Sequence, residues 1–171
     1  RILFRLLFQA YAEDRGLLPA GRNEDFDSHS LTRFASQSVG VESDYGDGTG
    51  LWSMLQEVWQ AIDAGNESWQ VPPYNGGLFG ADPELRPFGA LIKRLSLPDS
   101  VIGPALDALL IDRTEDDTQG MVDFRSLSVR EFGTIYEGLL ESSLSLAEVD
   151  LTVDPKGAWQ PAQPKDDVEA R

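Results

Sequence analysis

The residues able to carry chemistry are few and scattered. The 171-residue chain has one histidine, His29, and no cysteine. His29 stands in Asp27-Ser-His-Ser30, whereas a Ser-His-Asp triad is assembled in space from separate segments. With no second imidazole and no thiolate, a zinc site of the His/Cys kind has no ligand set. His29 reads as a surface residue. Carboxylates cluster at Glu115, Asp116 and Asp117, and again at Asp44 and Asp47. A calcium loop needs acidic residues at alternating positions, a fixed glycine and a closing glutamate, and neither cluster has that spacing. Both read as solvated charge. The nuclease arrangement of paired carboxylates followed by Glu-x-Lys does not occur. Neither does a P-loop, an HExxH pair or a nucleophile elbow.

Two further stretches imitate chemistry. Gly46-Asp-Gly-Thr-Gly50 follows Val39 and Val41, like the glycine-rich turn that methyltransferases place under S-adenosylmethionine. Such a turn must follow a buried strand, and Val39 to Tyr45 is too broken to be one. An acidic loop is the expectation. Val71-Pro-Pro-Tyr74 imitates the Asn/Asp-Pro-Pro-Tyr/Phe signature of amino-group DNA methyltransferases. There an Asn side chain and a proline carbonyl accept hydrogen bonds from the flipped base, which stacks on the ring. Val71 has no acceptor side chain. The run reads instead as a structural loop whose Tyr74, Leu78 and Phe79 plug into the core. No catalytic, cofactor-binding or metal-binding residue is assigned.

The charge balance narrows the partners. With 14 Lys+Arg against 29 Asp+Glu, the net charge is −15. So acidic a surface repels nucleic acid and anionic membranes unless a local basic patch intervenes. Arg1, Arg5, Arg15, Arg22, Lys93 and Arg94 are the candidates for phosphate contact. The lack of cysteine is compatible with the cytosol, the expected compartment. Apolar runs are far shorter than the roughly 20 residues of a membrane-spanning helix.

The elements follow from periodicity. Arg1 to Arg15 predicts a helix in which Arg1, Arg5, Gln9 and Glu13 form one narrow polar stripe. The remaining surface is apolar, so this helix belongs at the centre of a core. Gly16 suits the C′ position and Pro19 a stop. Ala20 to His29 reads as loop, Ser30 to Ser38 as a short helix capped by Ser30, and Gly40 to Gly50 as loop. Thr49 to Ala64 is a strong helix whose face is Leu51, Trp52, Leu55, Val58, Trp59 and Ile62. Trp69 to Pro83 is a long ordered loop, and Phe88 to Leu95 a short helix. Pro98 to Ile111 is helical, with Gly103-Pro104 kinking it or starting a fresh helix. Asp112 to Gly120 reads as a charged loop.

The helix over Ser128 to Glu141 has a capping-box start, Ser128 with Glu131. Phe132, Ile135, Tyr136, Leu139 and Leu140 share one face, and Glu137 and Glu141 the other. Gly133 and Gly138 each cost roughly 1 kcal/mol there relative to alanine, which points to another backbone packed closely on them. Val149, Leu151 and Val153 alternate as a strand does. A type I turn at Asp154-Pro-Lys-Gly157 would return the chain to a strand at Trp159. From Gln160 onward the composition is that of a linker. The expected fold is mainly α: a multi-helix domain over residues 1–148 with a long ordered loop. A small C-terminal β-hairpin and linker fill residues 149–171.

Three stretches in order carry a resemblance: L-F-R-L-L-F-Q-A-Y-A-E-D-R-G-L-L-P (Leu3 to Pro19), P-Y-N-G-G-L-F (Pro73 to Phe79) and V-R-E-F-G-T-I-Y-E-G-L-L-E (Val129 to Glu141). Together they resemble the mostly helical segment preceding the catalytic core in Eco57I-like DNA adenine methyltransferases and restriction-modification enzymes. In them Tyr74, Asn75, Gly76, Gly77, Phe79, Gly133, Tyr136 and Gly138 look architectural. The resemblance implies a parent that uses S-adenosylmethionine to methylate the adenine amino group in DNA, and that serves bacterial defence. This chain would be an excised connector, as its start within an apolar helix also suggests. Its partners would be the parent's methyltransferase core and flanking domains, and DNA through the parent. The alternative is an independent acidic helical protein–protein interaction module.

Overall fold

The computed structural model describes residues 1–41, 43–74, 76–114, 118–141, 148–153 and 159–161, the side chains of Val129, Tyr136, Leu139, Leu140, Glu141 and Trp159 aside. Among the described residues, seven helices and two antiparallel strand pairs make a mainly α chain with a small C-terminal hairpin. It divides into two compact units, residues 1–131 and 132–171. Among the described residues no helix is long and apolar enough to cross a membrane.

The first unit is hung on α1 (Ile2–Asp14), by the stripe that composition would send to water. Arg5, Gln9 and Glu13 are 3%, 0% and 4% exposed, while Leu3 is 40% exposed. Burying such groups is costly unless each is hydrogen-bonded, and each is. Arg5 Nε donates to Leu78 O at 2.9 Å and Nη2 to Phe79 O at 3.2 Å. Gln9 Oε1 accepts from Trp59 Nε1 at 3.0 Å, and its amide nitrogen donates to Glu13 Oε1 at 2.9 Å. Glu13 also accepts from the Leu31 and Thr32 amides and the Thr32 hydroxyl. A buried carboxylate thus sits at the N-terminus of α3 (Leu31–Ser38), where the helix dipole favours it. Ser30 Oγ completes that cap by accepting from Arg33 N. α1 ends as its sequence suggests: Gly16 has φ +69°, and the Gly16 and Leu17 amides donate back to Glu13 O and Ala12 O, closing a Schellman motif.

Between them the expected loop contains a four-residue helix, α2 (Glu24–Asp27), capped by Asn23 and anchored by the fully buried Phe26. α4 (Gly50–Ala64) buries the face its spacing marks, with Leu51 half-buried. It has no side-chain cap of its own. The Asp99 carboxylate serves instead, accepting from Gly50 N at 3.2 Å and Leu51 N at 2.9 Å. α5 (Pro87–Arg94) starts on proline and buries only Gly89 and Ile92. α6 (Asp99–Leu110) carries Pro104 inside one continuous helix, so no fresh helix starts there.

Residues 111–121 differ from the expected loop. β1 (Ile111–Arg113) pairs antiparallel with β2 (Gln119–Met121), Ile111 opposite Met121. The Thr114 amide donates to Thr118 O at 3.0 Å and closes the turn. The carboxylates at 115–117 lie outside the described residues.

Close backbone approach occurs at glycines other than those singled out. A Cβ on Gly89 would overlap Gly80 O, so α5 lies directly on the 77–80 loop. A Cβ on Gly103 would overlap the Tyr45 ring, whose hydroxyl donates to Asp107 Oδ2 at 2.9 Å. On Gly133 and Gly138 a Cβ meets nothing within 4 Å, so no backbone packs on them among the described residues.

α7 (Val129–Glu141) begins with the predicted capping box: Ser128 N donates to Glu131 Oε2 at 2.7 Å and Glu131 N to Ser128 Oγ at 3.2 Å. Hydrogen bonding to the carboxyl by the Ser128 amide first, and then by its side chain, holds Glu131 below the usual glutamate range. In the second unit β3 (Leu151–Val153) pairs antiparallel with β4 (Trp159–Pro161), Val153 opposite Trp159. The expected turn at 154–157 lies outside the described residues.

Candidate functional site

The two imitation motifs are used by the fold. Gly48 O accepts from Asp99 N at 2.6 Å and Gly46 O from Ser100 N at 2.9 Å. Gly50 N, which a cofactor turn would aim at its ligand, is held by Asp99. The Gly46–Gly50 run is therefore a clasp between the starts of α4 and α6. Val71 is buried and bridges Asn66, and Tyr74 N donates to Ile62 O. Of the three loop residues expected in the core, Phe79 is buried and meets Phe8 edge-on at 5.3 Å, and Leu78 is half-buried. Tyr74 stays exposed, its hydroxyl donating to Leu17 O. Gly77 lies under the Arg86 guanidinium; Asn75 is outside the described residues.

His29 is half-buried rather than free on the surface. Its ring centroid stands 4.7 Å from that of Trp69, and Nε2 lies 3.0 Å from Glu57 Oε2. Ser28 Oγ is 2.7 Å from Nδ1, giving a serine, an imidazole and a carboxylate in line. The same hydroxyl donates to Asp25 O at 2.7 Å, so the proton a nucleophile would pass to the imidazole is held by its own helix. The group ties α2 to α4.

The six candidate phosphate contacts separate into two sets. Arg5 is inside the core, its guanidinium 5.1 Å from the Trp59 ring and 5.7 Å from Phe79, and burial lowers its pKa. That placement withdraws it from a phosphate. Arg15 Nη2 donates to Leu127 O at 2.8 Å, and Arg22 Nη2 to Gly16 O and Leu18 O. Both close loops around the end of α1. Arg1, Lys93 and Arg94 instead gather at α5: the Arg1 guanidinium lies 4.4 Å over the Phe88 ring, and Lys93 and Arg94 are exposed in the last turn.

That place is the candidate site. A cleft of about 250 Å³ opens beside α5, lined by Arg5, Trp59, Asp63, Phe79, Ile92 and Lys93 among others. On the rest of α5, Phe88 and Leu91 are 55% and 48% exposed, and Leu85, just before the helix, is 73% exposed. No family model, curated protein or solved structure matches the chain. The site is accordingly read from its own chemistry: an apolar ridge, a basic margin of Arg1, Arg86, Lys93 and Arg94, and a cleft whose lining also includes Ser53, Glu57 and Asp63.

Sequence reading missed the ridge. The signal was present: from Leu85 to Pro98 there is no carboxylate, although the chain has 29. Apolar residues occur on every side of α5, so periodicity alone does not tell the buried pair from the exposed ones.

Proposed function

We propose that this chain is the helical connector of an Eco57I-like, S-adenosylmethionine-dependent DNA adenine methyltransferase of a cytoplasmic restriction-modification system. In this reading it holds the catalytic core relative to neighbouring domains and itself performs no catalysis. The observation that supports it is that α1 gathers the stretches on which the resemblance rests. Arg5 holds Leu78 O and Phe79 O of the second stretch, and Tyr74 donates to Leu17 O of the first. Asp14 Oδ2 accepts from Phe124 N, and Arg125 Nε donates to Asp14 O, fixing the segment that enters the third. Residues with no reaction to perform are thus tied together by hydrogen bonds between distant segments, as a part that transmits position requires.

Calorimetry tests the proposal. S-adenosylmethionine binds a protein that extends beyond residue 171 into the parent, and gives no heat with residues 1–171 alone. Binding by 1–171, or none by the longer protein, overturns it. The alternative, an interaction module, is favoured by one observation, the exposed ridge on α5.

A further inference from the structure

We propose that the exposed face of α5 docks an amphipathic helix of another protein or domain, one whose apolar ridge is flanked by carboxylates. Phe88, Leu91 and Leu95 follow at steps of three and four, which puts them on one stripe, and Leu85 extends it beyond the helix start. Large apolar side chains aligned on one exposed helix face are what a helix-on-helix contact buries.

Charge selects the partner. Arg86, Lys93 and Arg94 lie together in Leu85 to Pro98, a stretch free of carboxylates, and Arg1 stands over Phe88. The chain as a whole carries −15. An acidic helix is drawn to this face and repelled by the rest of the surface, which fixes where it lands as well as how tightly. Duplex DNA would meet the same cations, but its phosphates leave Leu85, Phe88 and Leu91 in water. An acidic amphipathic helix uses both halves of the surface. The inference does not depend on the parent being a methyltransferase.

The test is selection of displayed short helical peptides on the immobilised chain, followed by affinity measurement by fluorescence anisotropy. The expected winners carry Leu or Phe at i, i+3, i+4 and i+7 with Asp or Glu beside them. Leu91→Asp and, separately, the pair Lys93→Glu and Arg94→Glu each weaken them at least about tenfold, the scale of an interface anchor. These side chains are exposed, so the variants keep the wild-type melting curve; Leu85→Asp, outside the helix, gives a second reading of the ridge. Four results overturn the proposal. One is that no peptide is enriched, and another that basic peptides win or that binding ignores the α5 variants. The third is duplex DNA binding that depends on Lys93 and Arg94 but is indifferent to Leu91→Asp. The fourth is self-association of the wild type abolished by Leu91→Asp, which would make a second copy the occupant.

Discussion

Glu13 carries the sharpest residue-level consequence. Burial pushes its carboxyl above the ordinary glutamate value, against the pull of the donors from Gln9, Leu31 and Thr32. A group whose folded pKa is raised holds its proton more tightly in the folded chain than in the unfolded one. Its contribution to stability is therefore greatest below the unfolded value and falls as pH rises through the window up to the folded value. Urea unfolding of the wild type and Glu13→Gln across that window checks the sign: the wild type loses stability relative to the variant as pH rises. Glu13→Gln also places an amide where Oε2 accepts from the Thr32 amide and hydroxyl, or where Oε1 accepts from Gln9 and Leu31. A loss of about 1–3 kcal/mol is expected from the unsatisfied donors. The i, i+4 spacing of Arg1, Arg5, Gln9 and Glu13 was legible in the sequence. Its burial was not, because polar residues default to the surface and the partners Leu78, Trp59 and Thr32 lie far along the chain.

At the scale of elements, caps and apolar spacing were the readable signals and close contacts were not. Ser30, Gly16 and the Ser128–Glu131 box all act where local sequence puts them. Among the described residues the tight glycines are others than Gly133 and Gly138. Gly89→Ala drives a methyl into Gly80 O and should cost about 1–3 kcal/mol, the range for overpacking, seen as a lower melting temperature. Gly133→Ala meets nothing within 4 Å among the described residues and replaces the poorer helix former, so α7 should gain up to about 1 kcal/mol, seen as slower amide exchange in that helix. The β1–β2 hairpin escaped the sequence reading because its strands are three residues each and lack a period-two run. Asp99 capping α4 is likewise a contact between distant segments that local pattern does not encode.

For the molecule as a whole, the distribution of charge governs what it meets. Three of the six cations proposed for phosphate are used to hold backbone carbonyls, which leaves Arg1, Lys93 and Arg94 beside Arg86 at α5. In a chain of charge −15, residues 1–171 should bind duplex DNA weakly, and what binding there is should fall with salt. A titration from low to physiological salt reads this directly, and salt-independent affinity would contradict it. The fold class followed from composition and periodicity, while the site did not, since exposure of one helix face depends on what packs against the other. The most direct test of the connector is methyl transfer from labelled S-adenosylmethionine to adenine N6 in DNA, using the parent protein and its Gly89→Leu variant. The connector reading predicts transfer by the parent and at least about a tenfold fall in kcat for the variant, with S-adenosylmethionine still bound. No adenine methylation by the parent, or full activity in a variant whose amide exchange shows α5 displaced, would contradict it.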